Sequence, residues 1–237
     1  SEMAGYTELN SRIRTRFSIW KQQLDPNSKY AFVKSLQSGQ VVLDVGCGFD
    51  SARKLKSAAP ALTYDGVDIE KYYMTEEGIR AMRNYHLFKR TSFNEQLKAL
   101  DSGYEGIILS HVVEHVEEPL ELMSILCDKL RVNGQLYVST PYEGSVHFPK
   151  LKKGCLNFYD DPTHLRPFEI SSFAQSLPEN IVVSKHIARN HGSIWLFALG
   201  VFLWPYTAIT KRATPWTWYA YGFETVLILK KEDTHAC

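Results

Sequence analysis

The segment Val41–Asp50, VVLDVGCGFD, limits what this 237-residue chain can fold into more than any other. Val41-Val42-Leu43-Asp44-Val45 is a short apolar, β-branched run, the pattern of a strand covered on both faces. Gly46-Cys47-Gly48 then makes a tight turn, and Ser51–Ala59, closed by Pro60, reads as a helix. A strand that ends in glycines and opens a helix brings backbone close to a ligand, because glycine places no Cβ in the way. Asp44, an acid at the end of a buried strand, disfavours a pyrophosphate but can orient an amino group or a water.

The same alternation continues along the chain. Strands are expected at Thr63–Ile69, His86–Lys89, Gly106–Ser110 and Gln135–Ser139, and helices at Glu76–Asn84 and Pro119–Arg131, the latter ended by Asn133-Gly134. Strands alternating with helices imply βαβ units and a doubly wound, Rossmann-like α/β fold with a mostly parallel sheet. Two late strands, Ile181–Ala188 and Thr225–Lys231, bring the sheet to seven. Before the first strand, Leu9, Ile13, Phe17, Trp20 and Leu24 recur at helical spacing. Asp25-Pro26 then reads as an N-cap and first turn of a second helix ending near Ser38. The expected layout is one domain: N-terminal helices (1–39), a ligand-binding core (40–189), an aromatic insertion (190–222), and a last strand with a tail (223–237).

Charge is balanced, 27 Lys and Arg against 26 Asp and Glu, so no overall field favours nucleic acid. Cys47, Cys127, Cys155 and Cys237 are widely spaced, which fits a reducing, cytoplasmic setting better than a disulfide or zinc framework. Ser1–Thr15 carries charges and lacks an apolar stretch, so no secretory signal is expected. The aromatic surplus is local. Four of the five tryptophans lie between Trp195 and Trp218, and no Asp, Glu, Lys or Arg occurs from Asn190 to Thr210. Gly200 and Pro205 interrupt this run, and it separates two strands of one sheet, so a full membrane span does not fit. Two readings stay open for 194–218: a buried or homodimer-forming helix, or a segment lying in a membrane interface at the inner face of a bilayer. Trp and Tyr favour that level, and Lys211 and Arg212 would face head groups.

Asp44-x-Gly46-x-Gly48, followed by the strand-terminal acid Asp68, resembles the class I S-adenosylmethionine-dependent methyltransferases. The resemblance continues in order through Tyr104–Pro119 (YEGIILSHVVEHVEEP), Asn133–Pro141 (NGQLYVSTP) and Asp161–Phe168 (DPTHLRPF). The last is similar to a loop of ubiquinone-pathway and sugar or glycolipid methyltransferases. The resemblance implies S-adenosyl-L-methionine as cofactor. Gly46, Cys47 and Gly48 would pass beneath its methionine part, Asp44 would sit near its amino group, Asp68 would hold the ribose and Ile69 would pack on the adenine. Ser110 and His111 complete the implied set. Two positions depart from the family pattern. Asp50 stands where a third glycine is common, and Phe88–Asn94 offers only Thr91, Ser92 and Asn94 for the adenine amine.

Methyl transfer to oxygen is an in-line displacement that benefits from positioning and from a general base. His111 and His164 are the expected catalytic residues, and His115, Tyr142 and Arg166 the expected acceptor contacts. Each has a plainer reading beside it. His164 can pin its loop, His115 can be architectural, Glu114 can cap a helix, Tyr142 can be packing and Arg166 a surface ion pair. His147, His164, Asp160 and Asp161 match no ligand spacing, so no metal is expected. The function expected is O-methylation of a small molecule, sugar or lipid-linked glycan, as in surface-polysaccharide biosynthesis. Two alternatives are a cofactor-binding, non-catalytic membrane or partner subunit and an NAD(P)-dependent oxidoreductase. The latter lacks the third glycine of G-x-G-x-x-G, where Ser51 stands.

Overall fold

The computed structural model describes residues 23–233 apart from position 176. The helix expected over Leu9–Leu24 falls almost wholly outside the described residues. Seven strands form one sheet in the order β3-β2-β1-β4-β5-β7-β6. They are β1 (Val41–Val45), β2 (Thr63–Asp68), β3 (Asn84–Leu87), β4 (Tyr104–Ser110), β5 (Leu130–Pro141), β6 (Ile181–Asn190) and β7 (Glu224–Lys231). The first five are parallel, and β7 enters antiparallel between β5 and β6. The helices are α1 (Lys29–Ser35), α2 (Ser51–Ala58), α3 (Glu76–Arg80), α4 (Phe93–Ala99), α5 (Pro119–Lys129), α6 (Ile170–Ala174), α7 (Ile194–Thr210) and α8 (Thr217–Tyr221).

Alternation along the central strands feeds two cores. Leu43, Val45, Ile107 and Leu109 face one side with Leu122 and Leu126 of α5. Val42 and Ile108 face the other, with Phe32 and Val33 of α1 and Leu55 of α2. Burial of each such side chain contributes about 1.5–3 kcal/mol, so the β1–β4 centre is the rigid platform from which the loops project.

Three boundaries differ from the sequence expectations. Helix α1 starts at Lys29, capped by Ser28, whose hydroxyl accepts from Ala31 N. Asp25 is not its cap but is buried elsewhere, accepting from Asn190 Nδ2 at 2.8 Å. Helix α3 stops at Arg80 because buried Asp65 captures both Arg83 (Nε to Oδ1, 3.0 Å) and the Asn84 backbone (3.2 Å), starting β3 early. Strand β5 starts at Leu130, before the expected Asn-Gly break. Tyr104 pairs with Leu130 and Gly106 with Gln135, so Arg131–Gly134 bulges out of the ladder, with Asn133 left-handed at φ 64°. Helix α4 was not foreseen. It buries Leu97 and bonds across to α5 through Asn94 and Lys98, which donate to Glu121.

Candidate active site at the carboxyl edge of the sheet

Ligands of open parallel sheets bind beyond the carboxyl ends of the strands, and the chain concentrates its unusual backbone there. Gly46 has φ +77°, and a Cβ on it would sit 2.4 Å from Val112 Cγ2. Gly48 is nearly as confined, between Tyr72 and Asp68 Oδ2. A Gly46→Ala substitution therefore meets both the left-handed penalty of about 1–2 kcal/mol and an overpacking cost of about 1–3 kcal/mol. A loss of at least about 2 kcal/mol is expected in urea unfolding, and a loss below 0.5 kcal/mol would show that the turn simply relaxes.

Asp68 closes β2 with both oxygens engaged: Oδ2 accepts from Gly48 N (2.9 Å) and Oδ1 from Ile69 N (2.7 Å). Burial raises its pKa, and those backbone bonds work against the rise. Asp44 is buried beneath the turn, with its pKa pushed up by burial. Its Oδ2 has no hydrogen-bond partner among the described residues. Cys47 turns its side chain into the core, against Gly66, so only its backbone belongs to the turn. Asp50, in the place of a third glycine, is a tie. It accepts from Thr75 N (2.7 Å) and Thr75 Oγ1 (2.8 Å), joining the turn to the start of α3. Phe49, Tyr72 and Tyr73 form an exposed aromatic cluster beside it, with Phe49 and Tyr73 stacked at 5.0 Å. Past β3, Ser92 and Asn94 are committed to Gln96 and Glu121.

At the end of β4, Ser110 Oγ lies 2.9 Å from Ser139 Oγ of β5. The next residue, His111, is left-handed at φ 54°, a conformation that costs about 1–2 kcal/mol outside glycine. Its ring is gripped from both sides: Nδ1 lies 3.2 Å from Glu114 Oε1 and Nε2 lies 2.9 Å from Glu224 Oε1. Burial alone would lower the imidazole pKa, but the two carboxylates overcome it and lift it to about 10. Glu224 is half-buried, and the His111 bond holds it below the usual carboxylate range against the desolvation. The chain of bonds extends from Glu224 Oε2 to Asn190 Nδ2 (3.1 Å) and from there to Asp25. The general-base role expected for His111 does not fit this geometry. A histidine protonated at neutral pH, with both N–H groups on carboxylates, has no lone pair to take a proton. It acts on the site by holding Glu114 and Glu224 in place.

The loop Tyr142–Pro167 wraps the same edge. His164 is almost fully enclosed, its Nδ1 donating to Phe158 O at 2.6 Å and its ring 4.6 Å from the Phe158 ring and 4.8 Å from the His115 ring. His115 Nδ1 meets Thr163 O at 3.1 Å. Arg166 is exposed and donates to Glu117 O, so its guanidinium fastens the loop. Tyr142 is half-buried under the Arg189 guanidinium, 5.3 Å from its ring centroid. Sequence reasoning missed Glu224, Asn190 and Asp25 as parts of this edge. Their only signal was polarity at the ends of expected elements.

A methyltransferase-domain family model matches residues 13–180, more than half of the chain. This chain belongs to the class I S-adenosylmethionine-dependent methyltransferases. Among solved structures its fold is similar to the plantazolicin methyltransferase BpumL in complex with SAH (16% identity, TM-score 0.55, 96% of this chain and 90% of that one). It is similar also to a putative sarcosine dimethylglycine methyltransferase from Galdieria sulphuraria (14%, 0.56, 93% and 86%). A third is the N-methyltransferase NodS from Bradyrhizobium japonicum, in complex with S-adenosyl-L-homocysteine (10%, 0.53, 90% and 92%). No curated protein matches the chain. The residues of this methyltransferase fit its cofactor. Asp44 Oδ2 is a buried acceptor with no hydrogen-bond partner among the described residues, suited to an ammonium group, and the turn at Gly46 and Gly48 packs so closely against Val112 and Tyr72 that it holds its backbone without side chains.

The aromatic segment packs against this same edge of the sheet. Its two stems carry Asn190 and Glu224, which pair across β6 and β7. Trp218 of α8 lies 5.2 Å from the His111 ring, and its indole N–H donates to Cys155 O at 2.6 Å. Helix α7 seats only Leu196, Gly200 and Thr207, with Gly200 close enough to α8 that a Cβ would meet Trp216 O at 2.6 Å. The rest of the helix faces outward: Ile194, Trp195, Phe202 and Ile209 are 72, 77, 77 and 82% exposed. No described helix is long and apolar enough to cross a membrane.

Proposed function

We propose that this methyltransferase methylates a hydroxyl of a sugar or lipid-linked glycan presented at a membrane surface. The observation that carries the reading is helix α7, uncharged along its 17 residues and exposed on most of its circumference. Single exposed apolar residues are ordinary, but a contiguous patch marks a binding surface. The carboxyl end of α7 meets a basic rim. Lys211 O accepts from Lys152 N, and Lys153 pairs with Arg212, which gathers exposed Lys150, Lys152, Lys153, Lys211 and Arg212. Each such cation near an anionic bilayer contributes about 1 kcal/mol, and a helix of about 25 Å with Trp and Phe on its surface suits the interface.

S-adenosyl-L-methionine, when bound, supplies an electrophilic methyl group. Asp68 would hold its ribose, Asp44 its amino group, and the Gly46–Gly48 backbone its methionine part. The acceptor would lie between His111, Trp218 and the Tyr142 ring. Through Trp218 and the insertion stems, a surface that docks α7 also orders the wall of that space.

Co-sedimentation with vesicles containing one-third anionic lipid tests the reading. Wild type is expected to pellet. A triple Trp195→Ser, Phe202→Ser, Ile209→Ser variant is expected to lose at least tenfold in partitioning while keeping its affinity for S-adenosyl-L-homocysteine. A wild type that stays in the supernatant and sediments as a dimer would assign the patch to a second copy. Transfer of labelled methyl to a lipid extract, and not to RNA or free nucleotides, is the matching activity result.

A further inference from the structure

We infer that Glu114, His115 and His164 form a divalent metal site at the acceptor edge. A ligand atom from each lies within 4.8 Å of the other two. The hydrogen bonds decide which nitrogens are free. His164 Nδ1 faces the Phe158 carbonyl, which only accepts, so Nδ1 carries the proton. His115 Nδ1 faces both Thr163 O and Thr163 Oγ1, and that hydroxyl spends its own hydrogen on Asp161 Oδ1 (2.6 Å), so here too Nδ1 donates. In both rings Nδ1 is engaged by the loop backbone, which leaves Nε2 as the nitrogen available to an ion. Orientation of a ligating histidine through its other nitrogen by a backbone carbonyl is the usual support of a metal site.

The remaining surroundings suit a cation. Glu114 is fully buried, and its Oε2 has only a long 3.4 Å contact from Thr140 Oγ1. Asp161 Oδ2 lies 3.9 Å from His164 Nε2 and can add a fourth donor. Leu165 N donates to Glu114 O at 2.9 Å, which fixes the loop carrying His164 against the turn carrying Glu114 and His115. Two ligands at about 2.1 Å from one ion stand at most about 4.2 Å apart, so no pair needs to close by more than about 0.6 Å on binding. Two imidazoles and a carboxylate select a first-row divalent ion such as Zn2+, Mn2+ or Co2+ over Ca2+. This set differs from the His147, His164, Asp160 and Asp161 grouping considered from the sequence: it needs Glu114 and His115, which only the fold brings to His164. If the methyl-transfer reading holds, the ion is placed to bind an acceptor hydroxyl and lower its pKa, the task for which His111 has no lone pair.

The test is a Co2+ titration of the metal-stripped full chain, read by visible absorption and by competition with Zn2+, with no cofactor or acceptor present. One equivalent is expected to bind saturably. His115→Ala and His164→Ala are each expected to weaken binding at least tenfold, and exposed His186→Ala to leave it unchanged. Circular dichroism melts establish that each variant is folded. His115 is only half-buried, so its variant keeps the test decisive if His164→Ala does not fold. Absence of saturable binding, or equal binding in folded His115→Ala, overturns the site. Metal binding without binding of S-adenosyl-L-homocysteine would keep the metal site and refute only the functional reading.

Discussion

A His111→Ala variant is expected to lose about 3–5 kcal/mol of stability, the cost of stripping the cation from a buried ion pair. The alanine leaves Glu224 and Glu114 facing each other across an empty ring site, with Asn190 and Ser139 the remaining donors to Glu224. Urea unfolding monitored by tryptophan fluorescence reads the loss. A double-mutant cycle with Glu224→Gln is expected to return a coupling of at least about 1.5 kcal/mol. A single-variant loss under 1 kcal/mol would mean that the site admits water freely and that the network is not tightly held. The pH dependence has a definite sign. The folded-state pKa of His111 is raised from 6.5 to about 10. Its stabilisation is therefore complete below pH 6.5 and is lost as pH rises through about 10. Wild-type Tm is expected to fall between pH 7 and 10, with a shallower fall in His111→Gln.

Asp68→Ala is expected to weaken binding of S-adenosyl-L-homocysteine by about 100-fold or more. A carboxylate that accepts from two ribose hydroxyls loses two charge-assisted hydrogen bonds, each about 1.5–3 kcal/mol. The same carboxylate anchors Gly48 N and Ile69 N, so the free protein also loses the tie between the glycine turn and β2. Asp68→Asn keeps one acceptor oxygen and is expected to fall between the two. Calorimetric titration of the three proteins decides the matter, with melts to establish folding. Equal affinities would place the ribose elsewhere and make the Phe49, Tyr72 and Tyr73 cluster the next candidate for the cofactor edge.

The glycine turn and the acid that closes β2, the proposed cofactor end, were the most legible in the sequence. Their signals are local: two glycines two residues apart after an apolar strand, then an acid closing the next strand. Gly46 and Asp68 need only their own turn and the neighbouring strand to reach their places. The acceptor end was much less so. His111 reads as a candidate base because a sequence shows the imidazole but not Glu224, 113 residues away. Arg166 reads as an anion contact, yet in the fold its guanidinium donates to the backbone carbonyl of Glu117. Helix α4 passed unnoticed because its apolar face holds one deeply buried residue, Leu97, too little for a periodic pattern.

The sequence by itself determined the α/β architecture, the strand-turn-helix proposed to receive the cofactor, and a charge-free aromatic segment before the last strand. These follow from short-range pattern: apolar period, glycine and proline placement, and acids at strand ends. The tertiary structure alone decided the two carboxylate partners of His111, the carbonyls that take Nδ1 of His115 and His164, and the outward face of α7. Those depend on which carboxylate or carbonyl arrives from a distant part of the chain, and on which apolar surface finds no neighbour. Neither is encoded in any window of the sequence shorter than the fold itself.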